Sequence, residues 1–411
     1  MYQTESQSLR KQQPTIPPLT MKEKSQFKFF ISNVTFYWKE EFSSLISDKN
    51  IMLVIFVAPL LYPALYSCIY DNEVVKEAPM VVVDHCNSHE SRYFMRLCDA
   101  TKEVKIVSTF NDLESAKKSL YKKEAYCIME IPTNFSKKIA QKERSYISLY
   151  SDMSSLLYYK NFLITATNVS LQMNRDLQGK HTTNKTKEEE RRIIQPIKYN
   201  ETILFNPSNG FASFLIPAIL MLIIQQTILL SICALNGKRR EEGYFIKQRT
   251  IPKKLHPISQ IIGQALCYVL IYLFIGLYIM FTIPTLFSFP QMGDFIDLIS
   301  IYLPYILASI FLGISLTIFI KEMEESYLYI VFTSLIFLFL SGISWPSSAI
   351  PNAWRLLSYL IPCTFGIEGY IKINSMDAEL ADIKFEYFGL WIQTLIYFLL
   401  SIYVTKRKYL R

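Results

Sequence analysis

The chain alternates long apolar runs with segments rich in charged residues. Six of the runs contain no Lys, Arg, Asp or Glu, and they cover residues 51–70, 211–235, 258–281, 298–320, 327–341 and 388–405. A helix needs roughly 20 residues to cross a hydrocarbon core of about 30 Å, and most of the runs have that length. The pattern therefore predicts an α-helical polytopic membrane protein with six transmembrane helices.

A different periodicity precedes the first apolar run. Between residues 27 and 46 apolar side chains recur at intervals of three and four, and they are Phe30, Ile31, Val34, Trp38, Phe42, Leu45 and Ile46. An amphipathic helix just before a span is expected to lie in the membrane interface, with its aromatic rings at headgroup depth. The alternative is a helix packed in a small cytoplasmic subdomain, but little chain precedes it to bury that face. We expect residues 1–50 to form a polar lead followed by an interfacial helix.

Residues 71–210, between the first two predicted spans, have the composition of a soluble domain. The strand-like segments "APMVVVD", "VKIVSTF", "AYCIMEI" and "SYISLYSD" alternate there with helical segments. This alternation predicts an inserted α/β domain. Cys86, Cys98 and Cys127 fall within it, and their spacing does not single out a disulfide pair.

Basic residues are distributed unevenly around the predicted spans. Residues 1–49 hold seven Lys or Arg, residues 236–257 hold seven and residues 406–411 hold four, whereas residues 282–297 hold none. By the positive-inside rule both termini and the loop 236–257 are cytoplasmic, while residues 71–210 and 342–387 are external. The net charge of +8 follows from this topology and from attraction to anionic headgroups, so no nucleic-acid partner is expected.

The sequence contains no motif for catalysis or nucleotide binding. GxxxxGK[ST], GxSxG, HExxH and paired CxxC are all missing, so we expect no catalytic residue, bound cofactor or ATP site on this chain. Asp84, His85, Cys86 and His89 come nearest to a metal-binding cluster, but they follow a predicted strand. A turn and helix cap explains them more simply, and we expect no metal site.

Four polar residues lie inside predicted spans, and they are Gln225, Gln226, Thr333 and Ser334. Polar groups in hydrocarbon usually face a neighbouring helix or a water-accessible path. These residues are therefore candidates either for lining a translocation path or for packing helices together.

The segment 342–387 separates the fifth and sixth runs and begins with "GISWPSSAIPNAWRLLSYLIPCTF". Trp345 and Trp354 are typical interface anchors, and Pro351 and Pro362 are expected to bracket a short helix that Asn352 caps and that extends to about Leu360. The composition predicts a re-entrant element that enters the outer leaflet and returns. An interfacial helix that fixes the tilt of the sixth span is the alternative.

In combination these features resemble the permease subunits of bacterial ABC-2 type exporters, in the branch with a large external domain after the first span. The resemblance begins near Gln26 and covers nearly all of the remaining chain. "APMVVVDHCNSHESRYFMRLCDA" and "AYCIMEIPTNFSKKI" are similar to segments of that domain, and "SYLIPCTFGIEGYIKI" is similar to the proline-containing segment before the last span. "FNPSNGFASFLIPAILMLIIQQTILL" resembles the entry to the second span.

The cytoplasmic loop is a partial match to that family. Its sequence "KRREEGYF" keeps Glu241 and Gly243, but it has Arg239 at the family's first acidic position and Tyr244 at the family's threonine.

The resemblance implies the membrane permease subunit of an ATP-binding cassette exporter in the bacterial inner membrane. ATP and Mg would be bound by a separate ATPase subunit, docked on the helix 27–46 and the loop 236–257. The candidate ATPase contacts are Trp38, Lys39, Glu40, Glu241, Glu242 and Gly243. A second permease chain, identical or related, would complete the path, and the candidate external gate consists of Trp345, Pro351, Trp354 and Pro362.

The resemblance also suggests a periplasmic adaptor and an outer-membrane channel as further partners, beside the lipid bilayer itself. The aromatic content of 14% is compatible with an amphiphilic substrate, although packing uses the same residues. An alternative with the same topology is a non-transporting envelope receptor or assembly platform. A membrane-bound enzyme would need a polar constellation at one membrane face that the sequence does not show.

Overall fold

The structure, a computed structural model, describes residues 21–70, 75–141, 143–152, 156–179, 205–206, 210–245, 257–345 and 347–410. The chain divides into two units. The larger comprises Met1–Asp71, Leu204–Asn206 and Phe211–Arg411, and the smaller comprises Asn72–Ile203 and Pro207–Gly210.

Two helices begin the larger unit. Helix α1, Met21–Ser47, contains the amphipathic stretch, and α2, Lys49–Ile69, is the first apolar run. Asp48 separates them and caps α2, because its side chain accepts hydrogen bonds from the backbone N–H groups of Asn50 and Ile51.

The smaller unit contains a four-stranded sheet with interspersed helices. Its strands are β1 Ala78–Asp84, β2 Val104–Phe110, β3 Cys127–Ile131 and β4 Ser148–Ser151, in the spatial order β2-β1-β3-β4. Strand β1 is parallel to β2 and β3, and β4 is antiparallel to β3. The helices are α3 His89–Asp99, α4 Leu113–Tyr121, α5 Phe135–Ala140 and α6 Leu156–Gly179. Because β1 is buried at nearly every position, both faces of the sheet are covered.

The turn after β1 is a hydrogen-bonded cap. Asp84 accepts from the backbone N–H groups of Cys86 and Asn87 and from the hydroxyl of Ser91, and Ser88 is the N-cap of α3. Cys86 carries a free thiol, as do Cys98 and Cys127.

Among its described residues the larger unit continues with seven α-helices. They are α7 Phe211–Glu241, α8 Pro257–Leu286, α9 Phe295–Leu316, α10 Met323–Leu340, α11 Asn352–Ser358, α12 Pro362–Met376 and α13 Lys384–Leu410. Within the described ranges six helices, namely α2, α7, α8, α9, α10 and α13, are long and apolar enough to cross a membrane. The prediction of six spans is confirmed at this level.

Helix α7 is the most enclosed of the six and α10 the least. Several tyrosines are fully buried in the mainly aliphatic bundle core, and two of their hydroxyl groups reach backbone acceptors. Tyr302 donates to the carbonyl oxygen of Tyr272 at 2.7 Å and Tyr305 donates to that of Met221 at 2.5 Å. These bonds remove the cost of burying two phenol groups in an apolar bundle.

Two helices begin about one turn before the apolar runs that indicated them, and the predicted cap and end of a third helix are wrong by one and two residues. Helices α10 and α13 begin at Met323 and Lys384, four residues before the apolar runs, because the charged residues ahead of each run form the first helical turn. In segment 342–387 the N-cap of α11 is Pro351, not Asn352, and the helix ends at Ser358. Pro362 opens α12, and the residue before it is extended, as the proline ring requires.

Candidate coupling site at the base of the second span

A buried ion pair joins α1 to the last turn of α7. Arg239 Nη1 lies 2.6 Å from Glu41 Oε2, and the two side chains are only 6% and 2% exposed. Arg239 also donates to Ser44 Oγ at 3.2 Å and lies 5.1 Å from the centroid of the Tyr244 ring. A desolvated pair of this kind is expensive to break, because removing one partner leaves the other charge buried and unpaired.

Glu41 also binds α8, so that three helices meet at one carboxylate. Gln264 Nε2 donates to Glu41 Oε2 at 3.0 Å and the hydroxyl of Tyr268 donates to Oε1 at 3.2 Å. The close approach of α1 to α8 requires Gly263, because a Cβ at that position would stand 2.7 Å from the backbone oxygen of Val34. The three helices are therefore bound together by polar contacts that tolerate little displacement.

The residue before Arg239 connects α7 to the start of α2. Lys238 Nζ lies 2.5 Å from Asp48 Oδ2, at the carboxylate that caps α2. Partial burial raises the pKa of Asp48, but the hydrogen bonds from Lys238 and from the backbone N–H groups of Ile51 and Asn50 outweigh it, and the pKa of this carboxyl lies below its ordinary value. Asp48 is therefore held ionised, as the ion pair and the helix cap both need.

The next two residues connect α7 to the start of α10. Arg240 Nη1 donates to the carbonyl oxygen of Ile320 at 2.5 Å, and Glu241 Oε1 accepts from the backbone N–H of Met323 at 2.5 Å. A carboxylate at this place satisfies an N–H group that a helix start leaves unpaired, and it also complements the helix dipole. The turn 238–241 thus contacts α1, the start of α2 and the start of α10 through four consecutive side chains.

The predicted ATPase contacts differ in how available they are. Lys39 and Glu242 are exposed, Glu40 is half-buried, and Gly243 turns the chain with φ of 65°. Trp38 is half-buried and stacks on Phe42 with ring centroids 5.8 Å apart. Glu241 is exposed as well, but its carboxylate is engaged by the backbone N–H of Met323 at the start of α10. Residues 246–256 of the loop 236–257 lie outside the described residues.

The polar residues of the spans do not form one cluster of hydrogen bonds. Gln225 is fully buried in α7, where its amide group lies beside the thiol of Cys363, and within the described part of the chain neither its amide nor that of Gln226 finds a nitrogen or oxygen partner. Thr333 and Ser334 instead donate to carbonyl oxygens of their own helix, at 3.0 and 2.6 Å. The position of Gln225 beside a thiol of α12 is compatible both with helix packing and with lining a path.

The candidate gate residues frame two consecutive helices. Trp345 and Trp354 are 59% and 57% exposed, Pro351 precedes α11 and Pro362 opens α12. The carbonyl oxygen of Tyr359 accepts from Gln393 Nε2 of α13 at 2.7 Å. This contact ties the turn between α11 and α12 to the last span.

Sequence reasoning missed the Glu41–Arg239 pair. One signal was present, because Glu41 follows Val34 and Trp38 and precedes Leu45 at the helical spacing of three and four. A single carboxylate within a buried stripe calls for a buried cation. Arg239 provides that cation, at the position where the cytoplasmic loop of the related family has its first acidic residue.

Comparison with protein families accounts for most of the chain. Residues 49–403 match the family model described as ABC-2 family transporter protein. No relative was found among the curated proteins compared. The matched region contains the smaller unit and the six apolar helices of the described residues, except for the last few residues of α13. The chain therefore belongs to the ABC-2 transporter family and is an integral membrane protein with a role in transport.

Proposed function

We propose that this chain is the permease subunit of an ATP-driven exporter. ATP and Mg bind a separate ATPase subunit, and a second permease chain, identical or related, completes the translocation path. Family membership supports the transport role, and the sequence carries no P-loop that would let this chain bind ATP by itself. The substrate is an amphiphile that leaves the cytoplasm or the inner leaflet.

The Glu41 carboxylate is the observation that carries the coupling mechanism. It binds Arg239 of α7 and both Gln264 and Tyr268 of α8. An ATPase that pushes on the exposed face of α1 therefore displaces two spans with it, as a rigid body rather than through a flexible tether. Lys39 and Glu242 are exposed beside this contact and are the docking residues we favour.

The proposed orientation follows from the distribution of basic residues. Both termini and the turn 238–241 face the cytoplasm, and the smaller unit and segment 342–387 lie on the other side of the bacterial inner membrane. In this arrangement Trp345 and Trp354 stand at the external end of the path, where a re-entrant gate would close it. A periplasmic adaptor and an outer-membrane channel are the partners that the smaller unit would meet.

Purification of the full chain from its native membrane in a mild detergent tests the proposal. We expect an ATP-binding cassette subunit to co-purify in stoichiometric amount, as identified by mass spectrometry, and the complex to hydrolyse ATP. Recovery of the chain with no ATP-hydrolysing partner would favour a receptor or assembly platform of the same topology.

A further inference from the structure

A cavity of about 430 Å³ opens within the larger unit. It lies between the start of α7, the end of α10, segment 347–376 and the start of α13. Most of its wall is apolar, as shown by Phe214, Ala218, Leu340, Ile343, Ile367 and Ile371. A pocket of this size and polarity suits part of a small amphiphile.

Four charged side chains also line the cavity, and two of them neutralise each other. Lys372 Nζ lies 2.5 Å from Glu386 Oε1, whose side chain is 4% exposed. The other two are Glu368 of α12 and Arg355 of α11. Because Lys372 and Glu386 neutralise each other, the charged groups that remain at the cavity are the carboxylate of Glu368 and the guanidinium of Arg355.

Neither remaining charge forms a close ion pair among the described residues, although Lys372 and Arg355 are near enough to Glu368 to attract its carboxylate. Glu368 makes no hydrogen bond or ion pair there, and Arg355 donates through Nε only to the neutral hydroxyl of Tyr359 at 3.2 Å. Gly342 lies beside the carboxylate, and its φ of 83° is a backbone conformation that other residues rarely adopt. Burial, and then the charge of Glu386, raises the pKa of the Glu368 carboxyl above its ordinary value. A carboxyl group whose burial disfavours its charged form is typical of binding sites.

We infer that this cavity binds a zwitterionic amphiphile, with its ammonium group on Glu368 and its phosphate on Arg355. A guanidinium is suited to phosphate because its N–H groups match the oxygens in pairs, and a carboxylate is the natural partner of an ammonium. The apolar wall takes the hydrocarbon portion next to the headgroup. The inference deepens the proposed function, since it names the headgroup chemistry of the amphiphile, and it rests on that function for its purpose.

Equilibrium binding of fluorescent lysophosphatidylethanolamine tests the site without nucleotide or ATPase. The full chain is placed in nanodiscs of phosphatidylglycerol and binding is followed by fluorescence anisotropy. We expect Glu368→Gln and Arg355→Gln each to weaken binding about tenfold, the equivalent of one charge-assisted hydrogen bond. Glu379→Gln, which removes an exposed carboxylate after α12, is the matched control and should bind normally.

A second lipid probe tests the role of the ammonium group, and a further variant tests the cavity itself. Fluorescent lysophosphatidic acid, which lacks the ammonium, should bind less tightly than the zwitterion and be indifferent to Glu368→Gln. Ser347→Phe should block all binding by filling the cavity while leaving Glu368 in place, and it keeps the test valid if Glu368→Gln fails to fold. Wild-type affinity in Glu368→Gln, or equal binding of both probes, would overturn the inference.

A last arm identifies the source of the headgroup. Nanodiscs containing phosphatidylethanolamine should compete with the probe if the site takes lipid from the bilayer, and should leave binding unchanged if it takes only a single-chain amphiphile from the aqueous side. Failure of binding in every arm would refute the cavity assignment alone, because ATPase co-purification tests the proposed function separately.

Discussion

Arg239 Nη1 lies 2.6 Å from Glu41 Oε2, although the two residues are 198 positions apart in the sequence. The pair fastens a helix that precedes the first span to the end of the second. We regard it as the link between an ATPase at the cytoplasmic face and the helices that line the path.

A double-mutant cycle measures how strongly this pair is coupled. Glu41→Gln and Arg239→Gln should each lower the free energy of unfolding by about 3 kcal/mol, because each strands a buried charge. The double variant should lose clearly less than the sum of the two, as followed by thermal unfolding in detergent. Lys39→Gln, at an exposed position on the same helix, should change little, and strictly additive losses would show that the two charges do not depend on each other.

Neighbouring acids at the end of α7 should behave differently. Glu241→Ala removes the acceptor for the N–H of Met323 and should cost about 1 kcal/mol of stability, as the loss of a helix cap does, while leaving the yield of co-purified ATPase unchanged. Glu242→Lys should lower that yield, and more at low salt than at high salt, because exposed charges are screened by salt. If Glu241→Ala lowered the yield of co-purified ATPase and Glu242→Lys did not, the docking contact would involve Glu241 instead of Glu242.

Features of the fold could be predicted from the sequence where the residues that determine them lie close together in the chain. The spans were predicted because hydrocarbon imposes length and composition on each helix by itself. The strands and the turn at Asp84 followed from short patterns as well. The spacing of Glu41 within an apolar stripe indicated a buried partner, but Arg239 could not be identified as that partner, because two distant segments reveal their contact only after folding. The contact of Glu241 with the backbone N–H of Met323 depends on where α10 begins, which the apolar pattern placed one turn late.

Gln225 was singled out from its sequence position, and its environment makes a sharp prediction possible. An amide that is buried without a nitrogen or oxygen partner costs about 1 kcal/mol or more, so Gln225→Leu and Gln226→Leu should leave thermal stability unchanged or raise it. If the amides line the path, ATP-driven transport should nevertheless fall. Gln393→Leu is the matched control, because it breaks a hydrogen bond to Tyr359 and should lower stability. Loss of stability in the Gln225 variant would identify that amide as packing.

The orientation of the chain can be tested at two exposed positions. In a background without native cysteines, an impermeant maleimide applied to spheroplasts should modify Lys122→Cys in the smaller unit and spare Ser43→Cys on α1. Permeabilised cells should label at both positions, which serves as the control. Protection of Lys122→Cys with labelling of Ser43→Cys would invert the proposed topology.

The central claim is that nucleotide binding at one membrane face changes the structure at the other. The most direct measurement is the rate at which an impermeant maleimide modifies Trp354→Cys, an exposed position on α11, in the cysteine-free permease–ATPase complex. The rate should differ several-fold between the nucleotide-free and the vanadate-trapped complex. That difference should vanish when Glu41→Gln and Arg239→Gln are combined, although the ATPase remains bound. Equal rates in the two nucleotide states of the otherwise unaltered complex would contradict the account.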